Sequence, residues 1–198
     1  MTETVFRESR RRRRAQLAAA RQGRDEALSP MELRLTGDVG PLMLLNAALP
    51  VIPFRGRMAE LTALGGWDGA DAHAGMLVIG PAGVGKSRLA YRHGLALPQE
   101  WARGELRPGH GGQIVRLAHE AGDPTLIVVD DGGASADLTP LMSALAEHDG
   151  TPLIQALVVA RSAQAVRALI GPQLSERHRH ILDQAEAAGM LLSPSGNC

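Results

Sequence analysis

Met76-Leu77-Val78-Ile79-Gly80-Pro81-Ala82-Gly83-Val84-Gly85-Lys86-Ser87-Arg88-Leu89-Ala90 is the stretch on which the reading of this chain turns. Met76 to Ile79 is apolar without alternation and ends at a glycine, which predicts a central strand covered on both faces. A helix is expected from Lys86 to about Leu97. Between them, Gly80-Pro81-Ala82-Gly83-Val84-Gly85-Lys86-Ser87 fits G-x-x-x-x-G-K-[ST] without exception. Glycines let the backbone curl until successive N–H groups point at one anion, and the helix that follows adds its positive end. Lys86 is the only lysine among 21 basic residues. As a mobile point charge it suits β- and γ-phosphates, while the Ser87 hydroxyl suits Mg²⁺.

Working outward, Thr125 to Val129 is β-branched and wholly apolar, and it runs into Asp130-Asp131. A metal held beside the loop needs a carboxylate at the end of a neighbouring strand. Asp130 is the candidate metal ligand, and Asp131 the candidate for positioning or deprotonating a water. The alternative for Asp131 is a helix cap in an acidic turn. Leu153 to Ala160 is a third strand, ending at Arg161, where a guanidinium could reach a terminal phosphate or simply sit on the surface. Ala136 to Glu147 carries leucines at helical spacing, and Gln113 to Ala121 reads as a helix. Strands therefore alternate with helices, predicting an α/β fold of three layers around a mostly parallel sheet. Weaker signals predict a short helix at Ala59 to Gly65, an edge strand around Trp101 to Leu106, a helical face from Leu174 to Ala188 and a strand starting at Met190. Only 3% of residues are aromatic against 44% hydrophobic. An aliphatic core follows, with Trp67 and Trp101 as packing residues.

Charge is distributed unevenly although the total is zero. The first 24 residues hold eight arginines against Glu3 and Glu8. Residues 1–27 are expected to be a basic helix or arm without a convincing apolar face, 28–50 a linker, 51–192 the compact domain and 193–198 a tail. Arg10 to Arg14 could contact nucleic acid or another anionic surface, the bland alternative being a solvated tail. Cys198 is a lone cysteine, so no internal disulfide forms. The most continuous apolar stretch, Val39 to Phe54, is broken by Pro41, Pro50 and Pro53, so no membrane span is expected and a cytoplasmic location is. His178 and His180 are two apart and cannot share a helical face as a metal pair.

Phe54-Arg55-Gly56-Arg57-Met58-Ala59-Glu60-Leu61, GPAGVGKSRLA at 80–90, LIVVDD at 126–131 and LVVAR at 157–161 together resemble the STAND and related AAA-type signal-transduction ATPases, over roughly residues 51–170. The resemblance implies ATP, not a guanine nucleotide, with Val51, Ile52 and Gly56 near the base. It also implies that Asp130 and Asp131 are the paired acids and Arg161 the sensor arginine. A regulatory module that holds MgATP, hydrolyses it slowly and thereby changes contact with a protein partner is the function so implied, with nucleotide-dependent oligomers as a corollary. Two rivals are a non-hydrolysing interaction module and a helicase-loader-like ATPase. Members of that family continue into a helical lid and further modules, whereas nine residues follow Gly189 here, which suggests a truncated member or a stand-alone module.

Overall fold

Each main strand divides its side chains between two separate cores, and that division fixes the side of the sheet on which Asp130 stands. In the computed structural model, which describes residues 3–31, 54–67, 75–170 and 190–191, six strands form one sheet in the order β1-β3-β4-β5-β2-β6. They are β1 (Leu28–Ser29), β2 (Gly75–Ile79), β3 (Ala102–Leu106), β4 (Thr125–Val129), β5 (Ile154–Ala160) and β6 (Met190–Leu191). All neighbours are parallel except β1, which runs against β3. The helices are α1 (Glu3–Ala27), α2 (Met58–Gly65), α3 (Lys86–Ala96), α4 (Ile114–Ala121), α5 (Leu138–Glu147) and α6 (Ala163–Ile170).

Val78, Leu126, Val128, Leu157 and Val159 pack with Leu64, Leu89, Ala90 and Tyr91 beneath α2 and α3. Their sequence neighbours Leu77, Ile127, Val129, Ala156 and Val158 pack against α4, α5 and α6. Successive strand residues point to opposite faces. A strand covered on both sides must then be largely apolar, which is why β2, β4 and β5 read as near-continuous runs; the buried exceptions, Thr125 and Gln155, donate to the Asp123 and Trp67 carbonyls. The fold is the expected α/β architecture of three layers around a mostly parallel sheet, with the glycine-rich loop at the β2–α3 junction.

Three sequence expectations need correction. The stretch read as a linker begins as a strand, because Leu28 and Ser29 pair with Leu106 and Glu105. For the same reason β3 is flanked on both sides and is not an edge strand. Gly104 makes this pairing close: a Cβ there would sit 2.6 Å from the Ser29 carbonyl oxygen. Nor is α1 without a packing face. Ala20, Arg24 and Ala27 are buried, and a Cβ on Gly23 would lie 3.1 Å from Leu117 of α4. Positions 20, 23, 24 and 27 form one helical stripe of small residues around one arginine. Such a seam brings helix backbones close without any large apolar side chain to announce it.

The Arg24 guanidinium is 7% exposed and donates to Asp123 at 2.8 Å, while Arg21 donates twice to the same carboxylate at 2.7 and 3.0 Å. Burial pushes the Asp123 carboxyl up, but the hydrogen bonds and charges of Arg24 and Arg21 outweigh it and hold the group below the usual carboxylate range. Two of the eight N-terminal arginines thus fasten α1 to the domain. Arg11, Arg13 and Arg14 are exposed. No described helix is long and apolar enough to cross a membrane. The face expected from Leu174 to Ala188 lies outside the described residues.

Candidate functional site

Parallel strands deliver their carboxyl ends to one edge of the sheet, and the register fixes what meets there. Ile79 of β2 is level with Ala160 of β5, and Val129 of β4 is level with Val158 of β5. Gly80 therefore emerges beside Arg161, and Asp130 beside Val159. β5 lies between the loop and the acidic pair, so these two are separated by two strand spacings, about 10 Å. The last residues of β5 hold both, since Val159 O accepts the Gly132 amide at 2.8 Å and Ala160 O accepts the Gly80 amide at 3.3 Å.

Gly83 and Gly85 have φ of 78° and 90°, the left-handed region that side chains avoid. A Cβ at either would meet nothing within 4 Å, so glycine is required by the backbone bend and the concavity is open. Helix α3 then begins at Lys86 with no capping side chain and no acid in its first turn. Its leading amides and positive end are left for an external acceptor. Pro81, Ala82 and Gly83 are exposed at the mouth; Val84, Ser87 and Arg88 are half-buried.

Lys86 is 9% exposed, and its Nζ donates to the Pro81 carbonyl at 2.8 Å. An ammonium has three donors. One tethers it inside the loop, and the others remain for an anion. The loop is also braced from outside: Arg57, itself left-handed at φ 57°, donates to the Val84 carbonyl at 3.0 Å and to Glu60 at 2.8 Å. Arg57 lies in the Phe54 to Leu61 segment, and nothing in its sequence context marks this bracing role. Gly56 beside it has φ 74° and is exposed. Val51 and Ile52 lie outside the described residues.

Asp130 continues the parity of Leu126 and Val128, so it stands on the α3 side of the sheet, the face from which Lys86 and Ser87 rise. Its Oδ1 accepts the Asp131 amide at 2.9 Å. Asp131 is exposed with φ 49°, a conformation that aspartate tolerates better than most residues. It does not cap α5. Asp137 precedes that helix, and even its carboxylate turns away to accept the Gly109 and Gly111 amides at 2.8 Å each. Among the described residues no cation pairs with Asp130 or Asp131. Arg161 is exposed, one residue before Ser162, whose Oγ accepts the Ala165 amide at the start of α6.

Tyr91 and Glu105 were missed by sequence reasoning. Tyr91 follows Ser87 by one turn on the same face of α3 and donates its hydroxyl to Glu105 at the end of β3. Burial, the bond to Glu105, and the nearby Glu105 and Asp130 charges all push the phenol well above its usual range. The Asp130 charge, at the end of β4, is the smallest of these influences. The i, i+4 spacing from Ser87 was the available signal; nothing in sequence paired it with Glu105.

A groove of about 550 Å³ runs between α2 and α3, lined in part by Phe54, Gly56, Met58, Leu61, Leu97 and Gln155. No residue of the 80–87 loop lines it. Its link to the loop is Gly56, next to Arg57.

No family model matches the chain, and no curated protein matches it. Among solved structures, it is similar to the P-loop NTPase domain of the Sigma-54 transport activator from E. coli, at 12% identity and a TM-score of 0.44, covering 72% of this chain and 100% of that one. The fold assignment rests on the strand order and loop placement described above.

Proposed function

We propose that the chain is the nucleotide-binding module of a regulatory ATPase of the STAND or AAA type, holding MgATP at residues 80–87 and hydrolysing it slowly to change contact with a partner. One observation carries this reading: an uncapped helix follows two left-handed glycines, with the only lysine tethered inside the turn and Asp130 on the same face of the sheet. The loop amides and Lys86 receive the phosphates. Ser87 and Asp130 are the residues that would hold Mg²⁺, which supplies neutralisation of charge on the phosphate oxygens. Asp131 accepts a proton from, or orients, the attacking water, and Arg161 senses the terminal phosphate from its position beside Gly80.

The adenine preference, with Val51, Ile52 and Gly56 near the base, comes from the family resemblance. Exposed Arg11, Arg13 and Arg14 extend the proposal to an anionic partner for the N-terminal half of α1, while Arg21 and Arg24 are committed to Asp123.

Phosphate release by the full chain tests the enzymatic part. Release by wild type that falls at least tenfold in Asp131→Asn, with ATP binding retained, supports hydrolysis. Equal, negligible release by both points instead to a non-hydrolysing interaction module. Stimulation by single-stranded DNA that disappears in an Arg11, Arg13, Arg14→Gln triple variant would favour the helicase-loader-like alternative.

A further inference from the structure

At the opposite edge of the sheet, three side chains that the nucleotide chemistry does not use converge from distant parts of the sequence. His119 lies in the last turn of α4, His148 caps the C-terminus of α5, and Asp149 follows it. One ring nitrogen of each histidine and a carboxylate oxygen of Asp149 all lie within 4.8 Å of one another.

The backbone sets the tautomer of both rings. His119 Nδ1 is 3.0 Å from the Thr151 carbonyl oxygen, and His148 Nε2 is 2.8 Å from that of Pro152. A carbonyl can only accept, so those nitrogens carry the hydrogens, and the neutral rings keep lone pairs on His119 Nε2 and His148 Nδ1. Anchoring the far nitrogen to a carbonyl is how metal-ligating histidines are oriented. His148 Nδ1 is 3.7 Å from Asp149 Oδ1. Two donors on one tetrahedral ion with bonds of 2.0–2.1 Å are about 3.3 Å apart, so the three donor atoms, within 4.8 Å of one another, must draw together by at most about 1.5 Å. Asp149 Oδ1 is itself oriented by the Thr151 amide at 3.1 Å.

The shallow hollow around these groups also holds Glu147 and Arg116, and the Arg116 guanidinium is engaged by Glu120 at 2.9 Å. The local charge thus favours a cation.

We propose that His119, His148 and Asp149 bind one transition-metal dication of the zinc class, with a fourth position open to solvent. Two imidazoles and one carboxylate select zinc, cobalt, nickel or copper over magnesium and calcium, which prefer all-oxygen shells. The bound ion staples the end of α4 to the segment leading into β5.

The test uses the full chain and the metals themselves. Zn²⁺ is titrated by calorimetry, and Co²⁺ by visible absorption, into wild type, His119→Gln, Asp149→Asn and a control carrying His178→Gln, His180→Gln and Cys198→Ser. Both site substitutions fall on exposed side chains, so thermal unfolding without metal should match wild type. The expected result is one Zn²⁺ per chain, affinity weakened roughly tenfold or more in each site variant, unchanged affinity in the control, and an intense tetrahedral-type Co²⁺ spectrum. Zn²⁺ binding that is equal in wild type and both site variants, or lost in the control, overturns the site. So does a wild type that takes up Mg²⁺ as tightly as Zn²⁺, or takes up no Zn²⁺ at micromolar concentration.

Discussion

An aspartate flanks strand β4 at each end, and the two stand in opposite surroundings. Asp123, two residues before Thr125, is saturated by Arg21 and Arg24 and fastens α1. Asp130, one residue after Val129, has no cationic partner among the described residues and accepts only the amide of the next residue. A carboxylate neutralised by two guanidiniums contributes stability and offers nothing to a ligand. One with no cationic partner among the described residues, on the same face of the sheet as an uncapped helix N-terminus two strand spacings away, keeps its charge available. The residue type is the same, so the neighbours decide the role.

Exchanging each for asparagine should separate the two roles most sharply. Asp130→Asn should weaken the Mg²⁺-dependent part of ATP affinity at least tenfold and leave the melting temperature almost unchanged. Asp123→Asn should leave ATP affinity unchanged and cost about 2 kcal/mol, the scale of charge-assisted hydrogen bonds, or about 4–8 °C in melting temperature for a chain of this size. Calorimetric titration and thermal denaturation of both variants would blur the contrast if either moved in both assays.

Acid should remove the Asp123 contribution selectively. Its folded pKa lies below the unfolded value. The stabilisation is therefore complete above the unfolded value of about 3.9 and is lost as pH falls through the lower folded one. Wild type and Asp123→Asn should converge in stability across that window, measured by denaturant titration at several pH values.

Gly132→Ala probes how the acidic turn is seated, because a Cβ there would approach Val158 Cγ1 to 2.2 Å. A cost of about 1–3 kcal/mol, typical of overpacking, is expected. Tyr91→Phe should cost about 1–2 kcal/mol by leaving the half-buried Glu105 carboxylate without its donor. Arg12→Gln, which breaks an exposed pair with Glu8, should change stability by less than about 0.5 kcal/mol.

Much of the sheet edge was legible because one motif and near-continuous apolar runs encode it locally. The β2–α3 junction, β4 ending at Asp130 and β5 ending at Arg161 all follow from strands buried on both faces. What stayed hidden depends on partners far away in sequence. The seam of Ala20, Gly23, Arg24 and Ala27 has too little hydrophobicity to register as a face, and Arg24 looked like one more charge in a basic tail until Asp123 was beside it. Strand β1 is two residues long and is specified by the approach of Gly104, not by its own composition. Tyr91 with Glu105, and His119 with His148, likewise meet only once the crossovers are made.

Calorimetric titration of wild type and Lys86→Ala with ATP, ADP and GTP in the presence of Mg²⁺ addresses the phosphate loop most directly. The expected result is saturable binding of ATP by wild type, tighter than GTP, and a loss of at least tenfold in Lys86→Ala whose fold is intact by circular dichroism. Equal ATP affinity in the two proteins, or no nucleotide binding by wild type, would contradict the assignment of residues 80–87 as a triphosphate cradle.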